Sequence, residues 1–261
     1  MTLKPAISTL VSYKDKDKNI VKVIESCEHI KNWEIIDEGF HKLDNKLIKS
    51  LIELSSTRRI RYAVHAPFSS INLAEVDQNL CNRFIRFMLN SLRKAYKIEA
   101  SIWVVHPGRF TPFSYYFPEE GWKAHLRSLN LLAKEADNLG IQMVVENMVG
   151  GFALFLTIND GVKIVGNVDN VGICLDTGHA HITGNLEEFL DKLPRIKHIH
   201  VHDNHGEKDE HLAAYDGSIN WSTFLKKLEV MGYNGWIVAE NYQLSDAVKT
   251  LKRLGLLKEK T

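Results

Sequence analysis

His65, His106, Glu146, Asp176, His200 and Glu240 are scattered over most of the chain, yet each stands at or near the end of a short apolar run. Imidazole and carboxylate bind divalent transition metals, and carboxylates also serve as general acids and bases. A chance distribution would put apolar residues, glycine or turn formers at most of these positions, so the succession points to one site. Glu146 and Asp176 sharpen the point, because an uncompensated buried carboxylate is costly and a divalent cation offsets it. His179 follows Asp176 by three residues, and Asp209 and His211, two apart, can point to the same side of an extended loop. One catalytic zinc takes about three protein ligands. The larger set fits two or three ions that share bridging carboxylates. Its mixture of imidazole and carboxylate favours Zn²⁺, with Mn²⁺, Fe²⁺ or Co²⁺ compatible, over Ca²⁺ or Mg²⁺ at every position.

The elements that must position these residues are legible in the pattern. β-rich runs at Pro5–Ser12, Trp33–Asp37, Ile60–His65, Ser101–His106, Ile141–Glu146, Val171–Asp176, Ile196–Asp203 and Trp236–Glu240 alternate with amphipathic helical stretches. Asn79–Lys97, Gly121–Leu139 and the closing Ser245–Leu257 are among those stretches. Eight such units in 261 residues predict an α/β fold, a single (β/α)₈ barrel over residues 1–261, with its active site at the C-terminal ends of the strands. No GxGxxG or GxxxxGK[ST] follows a run, which argues against dinucleotide and P-loop chemistry.

Strand parity supports the same site. Ala63 with His65, Val104 with His106, Val144 with Glu146, Cys174 with Asp176, and Val238 with Glu240 are expected inside the barrel. Val64, Val105, Val145, Leu175 and Ala239 are expected against the helices. His198, His200 and His202 share one face of the seventh run and need partners or metal there. His29, His41 and His125, on helical or loop segments, read as structural.

Composition bounds the function without choosing it. The chain carries 33 basic and 32 acidic residues, so it lacks the electrostatic footprint of a dedicated nucleic-acid binder. Cys27, Cys81 and Cys174 are odd in number and far apart, which suits a reducing cytoplasm. Met1–Pro5 lacks a signal-peptide core, and no apolar stretch is long enough for a membrane span. The clusters Lys14–Lys18, Arg58–Arg61 and Lys258–Lys260 read as solvated surface rather than phosphate contacts. Arg109, beside the metal-ligand types, is a candidate phosphate contact, and His202 a second candidate substrate contact. The aromatics of Arg109–Trp122 (Phe110, Phe113, Tyr115, Tyr116, Phe117 and Trp122) could overhang the pocket and stack on a sugar or base.

His65-Ala66-Pro67-Phe68 with Ile71-Asn72-Leu73-Ala74, Val105-His106-Pro107-Gly108, Val145-Glu146-Asn147, Leu175-Asp176-Thr177-Gly178-His179-Ala180, His200-Val201-His202-Asp203 and Asp209-Glu210-His211 together resemble the xylose isomerase-like TIM-barrel superfamily, which contains endonuclease IV and sugar isomerases and epimerases. The resemblance to endonuclease IV extends to nine ligand positions holding three zinc ions that hydrolyse the phosphodiester 5′ of an abasic site. It implies that Glu146 bridges two metals. By the same likeness His65 and His106 serve one, Asp176, His200 and Glu240 a second, and His179, Asp209 and His211 a third. The epimerase branch implies a single metal on Glu146, Asp176, His200 and Glu240, with the two glutamates exchanging a substrate proton. The chain departs from both branches. Ala6–Ser12 replaces a Gly-x-His-x-Ser motif of endonuclease IV, and Gly206 stands where epimerases usually carry an arginine. Because an isomerase needs only one metal, the larger ligand set favours phosphoester hydrolysis, with abasic DNA or a smaller phosphoester as substrate. The alternative is isomerisation or epimerisation of a small sugar or sugar phosphate, with Glu146 and Glu240 as acid and base.

Overall fold

Trp33, Ile35, Val64, Trp103, Val105, Val145, Leu175 and Ile199 put bulky apolar groups at alternate positions of short runs. In the computed structural model, which describes residues 3–258, those runs are strands with the bulky side turned outward. The strands are β1 (Lys4–Ser8), β2 (Asn32–Ile36), β3 (Arg61–His65), β4 (Ile102–Val105), β5 (Gln142–Glu146), β6 (Gly172–Asp176), β7 (Ile196–Val201) and β8 (Trp236–Ala239). They pair in parallel in sequence order, and β1 also pairs with β8, which closes the barrel. The expected (β/α)₈ architecture is therefore present. Met1, Thr2 and Glu259–Thr261, including part of the Lys258–Lys260 cluster, lie outside the described residues.

Connections carry α1 (Ile20–Ser26), α2 (Asn45–Arg58), α3 (Gln78–Lys97), α4 (Pro112–Tyr116), α5 (Pro118–Asn138), α6 (Ile158–Asn167), α7 (Thr177–Ile182), α8 (Leu186–Lys192), α9 (Trp221–Val230) and α10 (Leu244–Arg253). Their starts have local causes. Asp44 and Asp77 cap α2 and α3 by accepting backbone N–H bonds, and Thr157 with Asp160 forms a capping box on α6.

The apolar core has two parts. A large shell between strands and helices includes Trp33, Trp103, Trp221 and Phe224. A thin plug inside the barrel holds Ala6, Ala63, Ile102, Val104, Val144, Cys174, Trp236 and Val238, which agrees with the parity expectation. Polar groups share the interior with the plug: Ser8, Glu34, His198 and His200 are all fully buried, His198 level with Cys174 and Trp236.

β1 and β7 stop farthest short of the C-terminal ends of their runs. β1 stops at Ser8 because the Ser8 hydroxyl accepts the Leu10 N–H at 3.3 Å and opens a 3₁₀ turn over Thr9–Ser12. β7 stops at Val201, and Asp203 instead bridges Leu212 in the following loop. No helix of the described residues is long and apolar enough to cross a membrane.

Candidate metal centre

His65, Glu146 and Asp176 are the last residues of β3, β5 and β6, while His106 and Glu240 come directly after β4 and β8. His200 lies within β7, paired with Asp176. Asp176 also caps α7 by accepting the His179 N–H at 2.7 Å, which turns the His179 side chain back toward the strand ends. Asp209 and His211 come from the long loop after β7. His211 holds a left-handed φ of 53°, uncommon for a side chain of this kind and of the sort found at functional sites.

These side chains meet around Glu146. Its Oε2 lies 3.2 Å from His65 Nε2 and 3.2 Å from His106 Nε2. Its Oε1 faces the other way, 3.4 Å from His200 Nδ1 and 3.5 Å from His179 Nδ1. His200 Nδ1 also stands 3.3 Å from Glu240 Oε2 and 3.8 Å from Asp176 Oδ2. Asp209 Oδ2 completes a third cluster, 3.1 Å from His211 Nε2 and 3.4 Å from His179 Nε2. One carboxylate thus divides its two oxygens between separate donor groups.

The spacing suits a divalent cation. Ligand atoms about 2.0–2.1 Å from a tetrahedral zinc stand about 3.3 Å apart, beyond the about 2.7–2.9 Å of a charge-assisted hydrogen bond. His200 Nδ1 is buried and makes no hydrogen bond, although three carboxylates surround it. Glu146, Asp176, His200 and Glu240 form one candidate metal-holding group, and His65, His106 and Glu146 another.

The rings are held from behind, as metal-binding histidines usually are. His65 Nδ1 donates to the Ala66 carbonyl at 2.9 Å, and His179 Nδ1 to that of Asn147 at 2.9 Å. His211 Nδ1 donates to the Glu240 carbonyl. In each case Nε2 is left to face the carboxylates. His200 is held by Glu34, a residue the sequence reading passed over, whose Oε1 lies 3.1 Å from His200 Nε2. Glu34 also accepts a 2.7 Å bond from His198, which gives that histidine its partner. The signal was parity: Glu34 alternates with the outward Trp33 and Ile35, so its carboxylate had to enter the barrel. Asn147 ties β5 to β6, accepting the Asp176 N–H at 2.7 Å and donating to the Asp176 carbonyl at 3.0 Å. Asp203 organises the long loop, accepting from the Tyr215 and Ile219 N–H groups and from Trp221 Nε1 at 2.8 Å.

Burial opposes every charge here, and opposite charges overcome it at most positions. Burial would raise the Glu146 carboxyl, but His200 and His106 hold it well below the carboxylate range. Asp176 is lowered against burial by His179 and His202, and Asp209 by its bonds to His179 and His211. Burial would lower the His65 imidazole, but Glu146 pushes it up to about 9. Burial keeps His106 low in spite of Glu146. In the metal-free chain the surrounding carboxylates thus raise His65, His179, His200 and His211 and favour their charged forms.

The donors open into a pocket of about 290 Å³ whose lining includes Tyr13, Lys14, Phe68, Tyr242 and the candidate ligands except Asp176 and His200, which are fully buried beneath it. Arg109 is exposed and absent from that lining. His202 is fully buried, with Nε2 3.1 Å from Asp176, and sits behind the carboxylate outside the lining. Phe113, Tyr115, Tyr116 and Phe117 are exposed, Phe110 and Trp122 partly buried, and none lines the pocket. Lys14 does line it, contrary to the solvated-surface reading of its cluster. His125 fits a structural role: burial pushes its pKa down to about 3, and Nδ1 accepts the Gly108 N–H at 3.3 Å.

The chain is 34% identical over 258 residues to an uncharacterized protein of Methanocaldococcus jannaschii, covering 96% of this chain and 87% of that one. It is 29% identical over 201 residues to a probable endonuclease 4 of Halothermothrix orenii, covering 67% of this chain and 69% of the relative. The crystal structure of a D-tagatose 3-epimerase-like protein superposes with a TM-score of 0.89 at 33% identity, covering 97% of this chain and 96% of that one. Residues 27–259 match the family described as xylose isomerase-like TIM barrel, and with the closed parallel barrel and the clustered strand-end donors this makes the chain a member of that family.

Proposed function

We propose that the chain is a divalent-metal-dependent phosphoester hydrolase using two or three ions, zinc being the best match to its donors. The division of the Glu146 oxygens between two donor groups carries this reading, because a carboxylate so placed is suited to bridge ions. His65 and His106 would hold one ion with Glu146. Asp176, His200 and Glu240 would hold a second with the same carboxylate, and His179, Asp209 and His211 a third. Ions held there would supply a water acidified to near-neutral pH and positive charge for the attacked phosphate and its leaving oxygen. Asn147, Glu34 and the backbone carbonyls of Ala66 and Glu240 keep the donors aimed. Abasic DNA is the substrate suggested by likeness to the probable endonuclease 4. Arg109, exposed outside the pocket, would meet only a substrate longer than a sugar.

A second reading, epimerisation or isomerisation of a sugar, is favoured by two observations. Glu146 and Glu240 both face His200 Nδ1, at 3.4 and 3.3 Å, and the likeness to the epimerase-like protein spans nearly the whole chain. In that reading one ion sits on Glu146, Asp176, His200 and Glu240, and the two glutamates take and return a carbon-bound proton.

The test pairs two assays on protein purified without chelator. Incision of a duplex containing an abasic site, lost in Glu146→Gln, with two or three metals per chain by elemental analysis, is the expected result. Deuterium entering candidate ketoses without incision, at one metal per chain, would replace hydrolysis with epimerisation.

A further inference from the structure

Lys14 is the only lysine or arginine among the residues lining the pocket. It follows the 3₁₀ turn after β1, and its Nζ lies 3.3 Å from the centroid of the Tyr242 ring. Tyr242 in turn packs on His211, with ring centroids 4.6 Å apart. Phe68, also in the lining, lies against both His65 and His106, at 5.3 and 4.9 Å. The donors are thus flanked by aromatic rings, with a lysine packed on one of them.

Lys14 makes no ion pair among the described residues, although Asp15 and Asp17 follow it closely in sequence. The ring beneath it attracts the ammonium without neutralising it. Lys14 is exposed and free of a carboxylate partner at the lip of the pocket, where it is available to an anion, and lysine meets phosphate as a point charge with freely rotating donors. Lys14 packs on Tyr242 and pairs with none of the donor carboxylates, so it offers an anion a contact in addition to the donor floor.

We infer that the substrate carries a phosphate separate from its reacting centre, and that Lys14 receives it. The inference rests on the pocket being the reaction site, as proposed above, and applies to both reactions. For hydrolysis the phosphate belongs to a neighbouring nucleotide, and for epimerisation to the end of a sugar phosphate.

Binding to the metal-loaded protein separates these sources. The probes are ribose 5-phosphate, ribose, and a duplex decamer bearing a stable abasic analogue with a phosphorothioate on its 5′ side. Lys14→Met is expected to weaken one phosphorylated probe about 10-fold or more, leaving ribose unchanged, and the probe affected identifies the source. Lys16→Met, which alters an exposed lysine outside the pocket, is the charge control. If neither phosphorylated probe loses more affinity in Lys14→Met than in Lys16→Met, the inference is overturned. Elemental analysis of the same preparations keeps the two claims apart. Full metal content with no Lys14-dependent phosphate binding removes only the inference, whereas absence of bound metal removes the centre beneath it.

Discussion

Glu34 on β2 and His200 on β7 meet across the barrel interior with Oε1 3.1 Å from Nε2, and it is the opposite ring nitrogen, Nδ1, that faces Glu146, Asp176 and Glu240. The carboxylate thereby selects the tautomer whose Nδ1 lone pair is free for an ion, and it raises the basicity of that ligand. Glu34→Gln keeps the shape and removes the charge. Zinc affinity measured by chelator competition is expected to fall about 10- to 100-fold in this variant. An unchanged affinity would mean that Glu34 serves only the packing of β2.

Glu146→Gln tests the bridge. Because Oε2 faces His65 and His106 while Oε1 faces His200, the variant is expected to weaken two donor groups together and to lower zinc per chain by more than one ion. His211→Ala removes a side-chain donor from the third cluster alone and is expected to cost fewer ions than Glu146→Gln. Equal losses in the two variants would show that Glu146 serves a single group.

The pH response differs between metal-free and metal-loaded protein. The folded His65 value of about 9 lies above its ordinary 6.5, so its contribution to stability is full below about 6.5 and is lost as pH rises through about 9. The lowered Glu146 works in the opposite direction: its contribution is present above the ordinary carboxylate value and is lost on acidification through its folded value. Metal-free protein is therefore expected to lose resistance to urea between pH 6.5 and 9. Zinc-loaded protein should keep its resistance, and apparent zinc affinity should climb over the same window as the imidazole protons leave. A flat metal-free profile would contradict the protonated-histidine balance.

Asp203 is a test of the loop rather than of the donors. Its carboxylate receives four donors, from Asn204, Tyr215, Ile219 and Trp221, and Gly217 permits the close approach because a Cβ there would collide with Asp203 and the Asn204 carbonyl. Asp203→Ala leaves these donors without their acceptor and is expected to cost about 3 kcal/mol or more in urea unfolding. It is also expected to weaken the Asp209 and His211 cluster selectively. Full retention of that cluster's metal would separate loop order from ligand order.

The strand ends were the legible part of this chain, because alternation of apolar and polar residues is a local property. His65, Glu146 and Asp176 terminate strands where their runs end, and the interior plug of Ala63, Val104, Val144 and Val238 follows from the same parity. Glu34 escaped notice because it lies in mid-strand, and only closure of the barrel brings β2 across from β7. Lys14 escaped because its cluster resembles any solvated charge run, and its pocket position depends on Tyr242, far away in sequence. Arg109 was drawn in by adjacency to His106, but the chain turns outward there: the Arg109 N–H donates to Asn72, and its backbone bridges Ala153.

Glu240 belongs to two clusters by different atoms. Its side chain faces His200, while its backbone carbonyl fixes His211, a residue of the third donor group. An ion that draws in the Glu240 side chain also changes how firmly the His211 ring is held. The clusters are therefore mechanically joined, and metal uptake is expected to be cooperative, with a binding isotherm steeper than that of independent sites.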